Sequence, residues 1–157
     1  MTNPRTKGKR GEYKVRDALT EWYGVSFKRT PSSGAFATIN KMYEFIGDLV
    51  CDDPAFPFCV EVKNNESWEM GQLLTSKSPP ILKWWEQATV QATKSEKYPI
   101  LVILKNRSQP LVVANATFFF AVTRKAKIPF LTLTLPDHEV LYIFKLDDVV
   151  SHTKVRA

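Results

Sequence analysis

Between Pro99 and Lys105 the chain reads Pro-Ile-Leu-Val-Ile-Leu-Lys, an apolar run without polar alternation. A strand with one face in water alternates apolar and polar residues, so this run predicts a strand covered on both faces. The covers are found on either side of it in the sequence. Residues 8–23 carry Val15, Ala18, Leu19 and Trp22 at helical spacing with charges between them, and Gly24 ends the pattern. Ser78-Pro79-Pro80 reads as a helix start with Ser78 as cap, opening a second helix to about Lys97 that buries Ile81, Leu82, Trp85, Ala88 and Ala92. A strand between two such helices implies an α/β (α+β) fold, a mixed central sheet flanked by helices.

The remaining elements are shorter. Val25–Arg29 is a strand candidate stopped by the turn signal Pro31-Ser-Ser-Gly34, and residues 35–45 read as irregular. Ile46–Cys51 and Phe58–Lys63 are β-rich and separated by Asp-Asp-Pro-Ala-Phe-Pro, which predicts an antiparallel hairpin. Residues 64–78 read as a long loop. Leu111–Asn115, a short helix over 116–125, Thr132–Leu135 and Val140–Lys145 complete the expected elements. The 157 residues suit a single domain over 1–157, with a flexible basic N-terminus at about 1–7. No apolar run approaches the roughly 20 residues of a membrane helix, and no secretory signal is visible at the N-terminus. Two cysteines are too few for a disulfide scaffold, so a cytoplasmic location is expected.

The net charge of +6 bears on partners rather than fold. Lys7, Lys9 and Arg10 precede the first acid, Glu12, and Lys28 and Arg29 precede the Ser/Gly turn. These are candidate DNA-backbone contacts, provided that a centre for phosphodiester chemistry is also present. Asp48 and, thirteen positions on, Glu61-Val62-Lys63 supply one. Strand alternation puts Glu61 and Lys63 on one face while Val60 and Val62 point to the other. If the hairpin pairs as expected, Asp48 lies beside Glu61. Two adjacent carboxylates repel unless a cation lies between them, and a hard oxygen site of this kind suits Mg²⁺, with Mn²⁺ able to substitute. The Val62 carbonyl is a further candidate ligand. Lys63 is then placed to orient a water and to offset charge on a phosphate. An acid, any residue, then lysine is a weak pattern, and Glu12-Tyr13-Lys14 matches it too. That copy lies on a helix, where residues i and i+2 do not share a face. Trp68, in the loop after Lys63, is a candidate aromatic DNA contact. His138 and His152 are isolated, which argues against a histidine metal site.

Gly47-Asp-Leu-Val50 followed by Cys59-Val-Glu-Val-Lys-Asn64 resembles the core of the PD-(D/E)xK nuclease superfamily, with Gly47 where many members carry proline. Residues 7–19 resemble the opening helix of archaeal-type Holliday junction resolvases, in which a helical glutamate joins the metal site; Glu12 is the match. Pro31–Phe36 resembles their Pro-x-Ser-Gly loop, which implies that Ser33 lies near the scissile phosphate. Trp84–Ala92 resembles the helix after the catalytic lysine, often with a glutamine facing the site, which falls on Gln87. The resemblance covers about residues 7–105. It implies a restriction-endonuclease-like fold, a Mg²⁺-dependent endonuclease, a homodimer, and branched DNA such as a four-way junction as substrate. Two rivals share these residues: a restriction-like or repair nuclease on duplex DNA, and a basic DNA-binding module without turnover. The expected setting is a bacterial, archaeal or phage-infected cell.

Overall fold

The computed structural model describes residues 3–30 and 47–155. The first helix, α1 (Pro4–Tyr23), begins earlier than residue 8, because Asn3 and Pro4 form their own start signal. The Asn3 side chain accepts a bond from the Arg5 amide at 3.0 Å, and proline occupies the first helical position. The basic stretch expected to be a flexible arm is therefore helical from Pro4. Gly24, in the left-handed conformation at φ 79°, closes the helix.

Seven strands form one sheet: β1 (Phe27–Arg29), β2 (Leu49–Cys51), β3 (Phe58–Asn64), β4 (Tyr98–Leu104), β5 (Leu111–Ala114), β6 (Phe130–Leu133) and β7 (Leu141–Lys145). Their order is β1-β2-β3-β4-β5-β7-β6. β3 and β4 run parallel, from Phe58 opposite Tyr98 to Asn64 opposite Leu104, and the other neighbours are antiparallel. A parallel pair needs a crossover. It contains α2 (Gln72–Thr75), a turn of helix inside the expected loop, and α3 (Pro80–Lys94). Ser78 is not the cap of α3: Pro79 occupies that position, with no side-chain cap bond. The helix α4 (Ala116–Thr123) joins β5 to β6, and α5 (Leu146–His152), which the sequence reading did not anticipate, continues from β7. The Thr132–Leu135 strand is displaced to Phe130–Leu133, in register with β7.

The sheet separates two cores. On one face Val15, Leu19 and Trp22 of α1 pack with Val60, Val62, Ile100, Val102 and Phe118. On the other, Ile81 and Trp85 of α3 pack with Trp68, Leu101, Ile103 and Val113. Ile100 to Leu104 in β4 are at most 5% exposed, so the apolar run is covered on both faces as expected. Each such side chain contributes about 1.5–3 kcal/mol by leaving water, which makes β3 and β4 the firmest support available to a site. No helix among the described residues is long and apolar enough to cross a membrane.

Candidate active site

The site is built where β2 meets β3. Leu49 pairs with Val60, so Asp48 falls opposite Glu61, as the hairpin reading required. The Asp48 backbone amide donates to the Val60 carbonyl at 2.8 Å, and its carbonyl accepts from the Thr30 amide at 3.0 Å. The Val62 amide then donates to Asp48 Oδ2 at 2.7 Å. One carboxylate oxygen thus satisfies a strand amide that the short β2 leaves without a ladder partner. Gly47 makes this approach possible. It sits at φ 96°, and an added Cβ would lie 2.9 Å from both Cys59 Sγ and the Val60 carbonyl oxygen. The glycine in place of proline follows from that geometry: proline cannot adopt a positive φ.

Glu61 and Lys63 project from the same face of β3, and Lys63 Nζ lies 3.2 Å from Glu61 Oε1. Glu12 is ion-paired with Arg29 of β1. Asp48 is 8% exposed, and the Glu61 and Glu12 side chains 15% and 16%. Burial pushes the Glu61 carboxyl up to about 7; the Asp48 charge adds to this, and Lys63 opposes it. Burial, then Asp48, also raise Glu12, against the pull of Arg29. Three carboxyl groups therefore crowd one another closely enough for each charge to be felt by the next.

No group of three or more His, Cys, Asp and Glu side chains among the described residues is gathered as a ready metal cage. A Mg²⁺ site does not need one, because that ion takes one or two carboxylates and keeps several waters. Asp48 and Glu61, side by side and held above their comfortable charge density, fit it, with Glu12 next to them. The cysteines do not compete: Cys51 and Cys59 are buried and not joined in a disulfide, and burial pushes the Cys59 thiol up to about 12.

The other expected residues fare differently. Ser33 lies outside the described residues. Gln87 is exposed on α3. Trp68 is 7% exposed in the second core, so it is a core residue rather than a stacking platform for DNA. Its place under α2 depends on a turn that periodicity does not reveal. Lys7 is tied to Glu66 at 2.6 Å and Lys28 to Asp52 at 3.1 Å, while Arg29 is committed to Glu12. Lys9 is exposed near Glu12, and Arg10 lines a cavity at the far end of β3.

Gln91 was missed. Its Oε1 is buried and has no hydrogen-bond partner among the described residues. The Leu82 and Thr89 flank of α3 shares a groove with Leu141 of β7, so the opposite flank faces β3. There Ser95 bonds the Cys59 thiol. Four residues back along α3 is about 6 Å, and two residues on along β3 is about 6.6 Å. That places Gln91 level with Glu61. The available signal was helical phase: Gln91 adjoins Ala88 and Ala92 at the edge of the buried stripe, and Gln87, one turn earlier on the same flank, is exposed.

The family described as "Phage putative PDDEXK endonuclease" matches residues 3–154. "Protein D14" of Escherichia phage T5 is 32% identical over 117 residues, covering 72% of this chain and 71% of the relative. No solved structure matches.

Proposed function

The chain belongs to the phage PDDEXK endonuclease family, a branch of the PD-(D/E)xK nucleases, and from that premise we propose that it is a Mg²⁺-dependent DNA endonuclease acting as a homodimer on four-way junctions. The observation that carries the catalytic reading is the pairing of Asp48 and Glu61 across β2 and β3, with Lys63 on the same face. Asp48, Glu61 and the Val62 carbonyl would hold the cation, with Glu12 beside them; Mn²⁺ would substitute. When bound, the ion supplies Lewis acidity and a more acidic water.

The protein's own groups do the rest. The Val62 amide fixes the Asp48 carboxylate, so little order remains to be created when substrate arrives. Lys63 and Arg29 are countercharges held in reserve by Glu61 and Glu12. With a cation held by those carboxylates, the ammonium and guanidinium would be available to the phosphate, where charge builds during hydrolysis. Lys63, next to the attacked phosphorus, also orients the incoming water. Gln91 has an unused acceptor level with Glu61, suited to holding a water proton.

The junction reading is supported by the resemblance of residues 7–19 to resolvases. The dimer is supported by β6, an uncovered sheet edge of Phe-Leu-Thr-Leu with Leu131 59% and Phe130 43% exposed. Lys125 and Lys127 precede this strand, and Asp137 and Glu139 follow it. Antiparallel pairing of two copies about a two-fold axis sets each basic end against an acidic one. The setting would be the cytoplasm of an infected cell.

The test is cleavage of a labelled four-way junction and a matched linear duplex, each with Mg²⁺ and with EDTA, alongside Asp48→Asn. We expect metal-dependent paired nicks near the crossover, reduced more than about 100-fold in the variant. Equal cutting of both substrates would replace the junction assignment by a duplex nuclease. Binding without cleavage under any divalent ion would remove the catalytic reading.

A further inference from the structure

A second polar cavity lies on the α1 side of the sheet, at the far ends of β3 and β4. It has a volume of about 240 Å³ and is lined by Arg10 and Lys14 of α1, Asn64 at the end of β3, and the turn that carries Arg107 and Ser108. Gly11 allows it to exist: an added Cβ there would lie 2.8 Å from Leu104 Cδ1 and 3.1 Å from Asn64 Nδ2. The helix therefore rests directly on the strand ends, and Arg10 and Lys14, four residues apart on one face, overhang the turn.

Three observations separate this place from an ordinary basic surface. Arg10, Lys14 and Arg107 have no hydrogen-bond or ion-pair partner among the described residues. The nearby carboxylate, Glu66, is already consumed by Lys7 at 2.6 Å and by the Asn106 amide at 2.9 Å. Arg107 adopts φ 59°, a left-handed conformation that a long side chain occupies at a cost, and that directs it from the tip of the turn. Three unpaired cations converging on a polar hollow repel one another, and an anion with several acceptor oxygens relieves this. Asn64 directly follows Lys63, so the hollow adjoins the catalytic strand without belonging to its face.

We infer that Arg10, Lys14 and Arg107 form a phosphate subsite, which holds a backbone phosphate of the DNA away from the one that is cut. The inference rests on the nuclease reading and adds to it. Such a subsite fixes where the strand lies relative to Asp48 and Glu61, and it carries no sequence information.

The test is the salt dependence of binding to a labelled duplex in EDTA, for the unaltered protein and for Arg10→Ala, Lys14→Ala and Arg107→Gly. Lys94→Ala, at the exposed end of α3, is the charge-matched control. Glycine at position 107 suits the positive φ, so that variant keeps its fold. Each pocket variant is expected to weaken binding equally on unrelated sequences and to make the log–log salt slope shallower by about one unit. Slopes like that of the unaltered protein, or the same change in Lys94→Ala, would overturn the subsite. An inorganic phosphate titration at constant ionic strength separates a free anion from the DNA backbone. If phosphate raises the melting temperature in an Arg107-dependent way while the DNA slopes stay constant, the pocket holds free phosphate and the backbone assignment fails. Failure of the unaltered protein to bind DNA at all is a different result, and it removes the nuclease reading itself.

Discussion

Glu61 ionises in the folded protein at about 7, against an ordinary 4.5, chiefly because it is buried. The fold therefore disfavours its charged form. Below pH 4.5 the group is protonated in both folded and unfolded chains and makes no difference. Between 4.5 and 7 the folded state binds the extra proton, so stability falls as pH rises through that window, and the full penalty persists above 7. In EDTA we expect the melting temperature to drop from pH 5 to pH 8, and Glu61→Gln to remove much of that drop while abolishing cleavage. A melting curve of Glu61→Gln that tracks the unaltered protein at both pH values would contradict this. Adding Mg²⁺ at pH 8 should raise the melting temperature of the unaltered protein and leave that of Glu61→Gln nearly unchanged. At this scale the site was legible where a strand's period of two decides which side chains share a face. Asp48, Glu61 and Lys63 needed only the hairpin and its parity. Gln91 and Trp68 were not legible in the same way, because each depends on which flank of a helix or turn meets the sheet.

Gly47 is where an element's geometry governs the site most directly. Its φ of 96° and the 2.9 Å approach of an added Cβ to the Val60 carbonyl both work against any side chain. The opposing atom belongs to a strand backbone and cannot swing aside. Gly47→Ala is expected to lose about 2–4 kcal/mol in denaturant unfolding, from left-handed strain and overpacking together. A loss below about 0.5 kcal/mol would mean that β2 and β3 can part without cost. Elements with strong periodicity, α1, α3, β3 and β4, were readable from sequence to within a few residues. Among the short ones, β5, α4 and β7 were readable to within two residues, whereas α2 and α5 were not. Leu146–His152 holds too few residues for its buried Leu146, Val149 and Val150 to distinguish a helix from an irregular tail. Ser78 shows the same limit from another side, since a serine before two prolines signals a helix start but only the backbone decides which residue caps it.

For the whole molecule, the α/β class followed from one apolar run and two amphipathic helices, whereas the strand order did not. β7 inserts between β5 and β6, and nothing local in the chain records a pairing made over that distance. The consequence is that β6, rather than the last strand in sequence, is left at the edge. Leu131→Lys places a charge on that edge without touching either core; it should convert a dimer to a monomer in sedimentation, with unchanged secondary structure. A monomeric unaltered protein at micromolar concentration would overturn the edge-paired dimer.

The parallel join of β3 to β4 matters before the protein is finished as well as after. Phe58 must find Tyr98 with the entire crossover between them, a loop closure forty residues long. Pairings of that span are made late and slowly, since the entropy of closing the loop is lost before the contacts repay it. Until β4 arrives, β3 has no partner on that side, and Glu61, the one carboxylate it carries, remains in water, far from its buried place among the other acids. A growing chain on the ribosome is therefore harmless to nearby DNA until well past its midpoint, and cutting activity appears only with the folded domain.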